Sequence, residues 1–312
     1  MYLKKFIRRT LLTLVLPVLV MLISYEYLYR TMPNAYKVKD GYLSHKAADI
    51  ETLILGSSHT FFGIDPSYFS RPAFNAANVS QDLKYDWFIL NKYMTTEQAL
   101  KQIILPVSYF TFFGLVRSSE EAWRIRKYQI YMGARDYPFY DIRYNTEFAH
   151  LGDRGCLNYY LRSLNAYSCT ALGMGNAYAR SKRSPDWEKS GVIAANRHTV
   201  WNKMNSLNIE RRIKENLSYL DSIMMYCHSK HVQLLLITPP TWHTYYENLN
   251  AGQLNRMYSL INQIVRGKSD VKYLNLLKDS RWNENVFYDA DHLNEYGAQK
   301  LAEILDQYLN ND

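Results

Sequence analysis

The stretch ETLILGSSHTFFGIDPS, residues 51–67, decides how the chain reads. Four largely apolar residues, 52–55, run straight into Gly56. A run this short, apolar without polar alternation, suits a strand buried on both faces, as parallel strands covered by helices are. Gly56 permits an abrupt exit from such a strand, so Ser57 and Ser58 fall in the first turn beyond it. In open parallel sheets reactive side chains gather there, at the carboxyl ends of strands, where helix N-termini turn amide donors into a crevice. A serine at that place is either a nucleophile whose own amide faces a developing oxyanion, or a plain cap for the next helix. To be a nucleophile it needs a base, and something to hold that base in the right tautomer.

Outward from this strand the pattern repeats. Short apolar runs at 73–77 (AFNAA), 102–107 (QIILPV), 232–238 (VQLLLIT) and 271–277 (VKYLNLL) alternate with segments of helical spacing such as LKYDWFILNKYM and AQKLAEILDQYL. The order predicts a doubly wound, three-layer α/β domain over 51–312. Residues 111–206 break the rhythm with aromatics (Trp123, Tyr128, Tyr159, Tyr160, Trp187, Trp201) among arginines and asparagines. A structureless loop of that length is improbable, so a largely helical insertion is expected, either an ordinary subdomain core or a lid or platform for sugars.

The far end of the chain supplies the missing partners. In VFYDADHLNEYGAQKLAEIL, Asp289 and His292 lie three residues apart, after the last strand and before the last helix. A carboxylate in such a turn can reach the imidazole Nδ1 hydrogen and leave Nε2 free for a hydroxyl from another strand end. Asp291 competes for the carboxylate role, but neighbouring side chains in a turn usually diverge, which favours Asp289. His198, His228 and His231 show no convergent partners in the sequence.

The strand ending in Gly56-Ser57-Ser58, the FNAANVSQ segment after the second strand, and D-x-x-H before the terminal helix together resemble the SGNH/GDSL hydrolase family. Within it the chain is similar to membrane-anchored, exported members associated with acylation of bacterial cell-surface polymers. The resemblance spans roughly 50–110 and 207–312 and leaves out the insertion. It implies a flavodoxin-like α/β/α core with a five-stranded parallel sheet, Ser58 as nucleophile, Ser57 in place of an aspartate, His292 as base and Asp289 as its orienter. Two departures stand out. Ser80 occupies the place of the family's oxyanion glycine, with Asn78 nearby, and Ser108 falls at about the place of its oxyanion asparagine. Losing that asparagine donor would cost about 3 kcal/mol of transition-state stabilisation, unless Asn78 or an amide near Ser108 compensates. His59, beside the nucleophile, either binds substrate or packs.

The first thirty residues concern location. Lys4, Lys5, Arg8 and Arg9 precede an apolar run from Leu11 to Ile23 and a fringe of Tyr25, Tyr27 and Tyr29. With the fringe, 11–29 gives about nineteen residues, enough to cross about 30 Å of hydrocarbon. No small-x-small cleavage site follows, so an uncleaved single-pass anchor (1–30) is expected, touching membrane lipid and placing the body on the exported side of a bacterial cytoplasmic membrane. Residues 31–50 read as a tether that becomes a short helix. A net charge of +8 fits an anionic neighbourhood, but the basic residues are scattered and bring no nucleic-acid-binding signature, so no nucleic acid partner is expected. The three cysteines lack ligand spacing, so no metal is expected, nor any cofactor; Cys156 and Cys169 are either free thiols or a disulfide. The leading expectation is ester chemistry, O-acyl or O-acetyl transfer or hydrolysis, on a cell-envelope polysaccharide, with an acylated polymer or acyl donor as substrate. The family resemblance implies a multi-pass membrane acyltransferase as partner. The alternative is a glycan-binding or assembly factor that keeps the fold without the chemistry.

Overall fold

Each of the five apolar runs forms a strand in the computed structural model, which describes residues 2–95, 99–150 and 169–310. The strands are β1 (Thr52–Ile54), β2 (Ala73–Asn75), β3 (Gln102–Pro106), β4 (Gln233–Thr238) and β5 (Val271–Asn275), in one parallel sheet of order β2-β1-β3-β4-β5. Leu53 registers between Phe74 and Ile103, and Ile104 faces Leu235. The absence of polar alternation is explained by the packing. Leu53, Leu55, Ile103, Leu105, Leu234 and Leu236 belong to one core, with Ile89, Leu90, Leu220 and Ile261 from the helices Leu83–Tyr93, Ser206–Lys230 and Ala251–Val265. Ile54, Ile104, Leu235 and Ile237 point the other way, into a second core with Leu301 and Leu305 of the C-terminal helix Glu295–Asn310. Successive residues therefore feed opposite layers, and both must be apolar.

This strand order reverses its direction of winding between β1 and β3, and the crevice above their carboxyl ends is where such sheets place ligands. Ser58 follows β1, Ser80 follows β2 and Ser108 follows β3.

The N-terminal helix Tyr2–Thr31 is long and apolar enough to cross a membrane by length and composition, with a window of mean hydropathy 2.1 of which none is buried. Its end is fastened to the domain. The Glu26 carboxylate accepts the backbone N–H groups of Glu147 and Phe148 at 2.7 and 3.0 Å, and Arg30 donates to the Asn145 carbonyl at 2.8 Å. Residues 31–50 are more than a tether. Asn34 caps the helix Ala35–Lys46 by accepting the Lys37 N–H, and Tyr36, Lys39 and Leu43 are buried against the domain. The described parts of 111–206 carry the short helices Ile125–Met132, Ile142–Asn145 and Ser190–His198, joined by single turns and extended chain. Tyr159, Tyr160 and Cys156 lie outside the described residues, and with Cys156 so does the Cys156–Cys169 pairing.

Candidate active site

Gly56 makes the turn out of β1 with φ at +109°, and a Cβ there would fall 2.1 Å from Pro106 Cγ, so no other residue fits without displacement. Its N–H donates to the Asp86 carboxylate at 2.7 Å. Asp86 is buried in Leu83–Tyr93 and also accepts from Gln81 Nε2 at 2.7 Å, while Tyr128 donates to Gln81 Oε1 at 2.8 Å. Burial pushes the Asp86 carboxyl up to about 7. Neither this post beneath the serine turn nor its parts emerge from the motif, although an aspartate on the apolar face of a core helix is itself a signal. Ser57 N-caps Ser58–Phe61 and its buried hydroxyl meets no partner among the described residues.

The turn at 289–292 closes on Ser58. Asp289 Oδ1 accepts the backbone N–H of Asp291 at 3.1 Å and of His292 at 2.8 Å, and both carboxylate oxygens face His292 Nδ1, at 2.9 and 3.1 Å. His292 Nε2 lies 2.8 Å from Ser58 Oγ. A carboxylate only accepts, so Nδ1 carries the hydrogen and Nε2 is left to accept from the hydroxyl. The turn is fixed from both sides: Tyr288 donates to the His292 carbonyl at 3.0 Å, and Asn294 Oδ1 caps the last helix through Tyr296 and Gly297. Burial disfavours a charged His292, but the carboxylates of Asp289 and Asp291 outweigh it and hold the imidazole well above its ordinary pKa.

Asp291 does not diverge. Its buried carboxylate places Oδ1 3.5 Å from His292 Nδ1 and Oδ2 3.5 Å from His59 Nε2. Burial would raise its carboxyl; the His292 charge, with contacts from His292 and His59, holds it well below the usual range. His59 in turn sits 2.9 Å from Ser108 Oγ through Nδ1. His198, which the sequence leaves without partners, joins this group: Nδ1 lies 2.8 Å from the Tyr245 hydroxyl and 3.9 Å from Asp291 Oδ2, and burial pushes its pKa down to about 3. His59, Asp291 and His292 stand close enough together to resemble a metal ligand set. Their donor atoms, however, already engage Ser108, Asp289, Ser58 and one another, which marks a hydrogen-bonded group.

A cleft of about 1270 Å³ opens above Ser58 and His292, and Gly56, Ser80, Gln81, Phe110 and Tyr178 help to line it. Ser80 adopts φ +58°, the left-handed backbone that a glycine in its place would take freely. Two sequence expectations need correction. Asn78 is buried away from this cleft, its amide directed at Gln81 Oε1, and it borders a separate small cavity near Phe61 and Trp123. Ser108 is not a cleft-lining donor: its N–H goes to Thr111 Oγ1 and its hydroxyl to His59. His59 is buried and does not line the cleft. Missed altogether was an aromatic wall. Phe62, Tyr178 and Tyr288 stack in series, with ring centroids 3.8 and 4.1 Å apart, and Tyr178 meets His292 edge-on at 5.1 Å.

No family model matches this chain, and no curated protein does. Among solved structures it is similar to a Streptococcus pneumonia protein provisionally described as a platelet activating factor, at 11% identity and a TM-score of 0.44, covering 95% of this chain and 98% of that one. A Bacteroides fragilis protein provisionally described as an acylhydrolase aligns at 9% identity and a TM-score of 0.38, covering 88% and 94%.

Proposed function

We propose that the chain performs serine-dependent ester chemistry, with Ser58 as nucleophile, His292 as general base and Asp289 as its orienter. The observation that carries this reading is the continuous contact from Asp289 through both imidazole nitrogens to Ser58 Oγ, the last step 2.8 Å long. Ser58 Oγ attacks an acyl carbonyl while its proton passes to Nε2; the imidazolium then returns that proton to the departing alcohol, leaving an acyl-serine. Water or a second alcohol, deprotonated by the same nitrogen, takes the acyl group and restores the serine. The Ser58 and Ser80 amides are the candidate oxyanion donors, since the Asn78 and Ser108 side chains are engaged elsewhere.

The fastened N-terminal helix supports a site held at a membrane surface, and a cleft of about 1270 Å³ leaves room for a substrate larger than a small ester. These features favour O-acyl or O-acetyl transfer or removal on a cell-envelope polysaccharide, on the exported side; the family resemblance of the motifs adds a multi-pass membrane acyltransferase as the source of the acyl groups. A second reading, a glycan-binding or assembly factor, draws on the missing oxyanion side-chain donor. The full-length protein in detergent separates the two through p-nitrophenol release from p-nitrophenyl acetate. The enzyme reading expects Ser58→Ala and His292→Ala to lose at least about a hundredfold; equal rates for all three proteins end it.

A further inference from the structure

Asp289 satisfies the orienting role by itself, so the second carboxylate at His292 has no place in the reaction as written. Asp291 is nonetheless fully committed to the site. It is 3% exposed, one oxygen faces His292 Nδ1 and the other faces His59, and among the described residues no backbone N–H donates to either. A buried carboxylate is costly unless its surroundings are arranged for it. Here they are. Asp291 only accepts, so His59 Nε2 carries a hydrogen toward it, and His59 Nδ1 is then free to accept the Ser108 hydroxyl at 2.9 Å. The Ser108 N–H is held in turn by Thr111 Oγ1 at 2.9 Å. Phe110 covers the His59 ring edge-on at 5.3 Å. The end of β3 thus braces His59, His59 braces Asp291, and Asp291 meets the base.

We propose that Asp291 is a positioning residue for His292, a second carboxylate that holds the imidazole aligned on Ser58, and that His59, anchored on Ser108, is the post that keeps Asp291 there. The inference rests on His292 being the base of the proposed reaction, but its electrostatic part holds whether or not turnover occurs. The groups facing His292 are Asp289 and Asp291 from its own turn, His59 from the segment after β1, Tyr178 from the aromatic wall, and His198 with Arg197 from Ser190–His198, the last reaching Asp291 at 3.9 Å. Of these only the two aspartates add negative charge at neutral pH. Removing either therefore makes the imidazolium harder to form.

The test uses the full chain in detergent and two readouts, the pH dependence of kcat/KM for p-nitrophenyl acetate and the His292 imidazole titration by NMR, assigned with His292→Asn. Asp291→Asn keeps the shape and removes the charge. It is expected to move the acid limb and the NMR titration down together by about 1 to 2 pH units, and to lower kcat at least about tenfold with KM little changed. His59→Gln, which can donate to Asp291 and accept from Ser108, is expected to stay within about threefold of the parent, whereas His59→Ala falls at least about tenfold. An NMR titration in Asp291→Asn that coincides with the parent's overturns the proposal, and so does a His59→Gln protein as impaired as His59→Ala while both melt like the parent. Loss of the shared reading looks different: Ser58→Ala then turns over like the parent, while the NMR shift still decides the role of Asp291.

Discussion

Replacing Asp289 by asparagine exposes how the base is held. The carboxylate now receives two backbone N–H groups and the Nδ1 hydrogen. An asparagine Oδ1 can keep the backbone pair and its place 2.9 Å from Nδ1, but the NH2 group takes the second oxygen's place at 3.1 Å and, donating to Nδ1, favours the tautomer with hydrogen on Nε2. That tautomer donates to Ser58 instead of accepting from it. A base locked in the wrong tautomer loses about 10⁴ in kcat, or about 5 kcal/mol of barrier. Asp291 Oδ1, 3.5 Å from Nδ1, works against this by continuing to attract a hydrogen there, so the expected loss for Asp289→Asn is smaller, about 10²- to 10³-fold. Alanine removes the misleading NH2 and leaves Asp291 as the acceptor nearest to Nδ1. It forfeits the backbone bonds, about 1 kcal/mol of stability each, yet should retain about tenfold more kcat than asparagine does. Steady-state p-nitrophenyl acetate kinetics on the full-length proteins decide the matter. An asparagine variant as active as the alanine variant, or one within a few-fold of the parent, refutes the reasoning.

Because the two carboxylates hold the His292 pKa above its ordinary value, the free base forms only on the alkaline side of that value; kcat/KM is expected to be still climbing at pH 7 and to level off above it, as a pH-rate profile will show. Asp86, pushed up to about 7, keeps its proton in the folded chain after the unfolded chain has released it, so the parent loses stability as pH rises from about 4 to 7. Asp86→Asn is expected to lack that decline and to gain of order 2 kcal/mol on the parent between pH 4 and 8 in urea unfolding, with the sign of the change as the criterion. Gly56→Ala brings a Cβ to 2.1 Å from Pro106 Cγ in a left-handed backbone, and should lower unfolding free energy by about 3 kcal/mol or more.

The sheet was legible because its strands feed two cores at once and so leave uninterrupted apolar runs, 52–55 and 102–107 among them. Ser58, Asp289 and His292 were legible because Gly56 and D-x-x-H mark two strand ends that this topology brings to one rim. The Asp291–His59–Ser108 post was not. Its members come from three elements, none has a spacing that announces the others, and the argument that adjacent turn residues diverge pointed Asp291 the wrong way. His198 is not legible either, because only packing brings it to Tyr245 and Asp291. The short helix expected within 31–50 is present, but its docking was not legible because Lys39, a charged residue, is among its buried positions: it donates to the Ala77 carbonyl and lies over the Phe61 ring, and burial lowers its pKa to about 7. In the insertion, the length of 111–206 argued for helices, and the described chain has them at Ile125–Met132, Ile142–Asn145 and Ser190–His198, but no periodicity in the sequence marks where the turns between them fall.

Labelling of the full-length protein by a fluorophosphonate, read by intact mass and peptide mapping, tests the claim about Ser58 most directly. One adduct per chain is expected, on Ser58, absent in Ser58→Ala and slowed at least about a hundredfold in His292→Ala. A folded protein that takes up no label, or one that labels equally after Ser58→Ala, contradicts it.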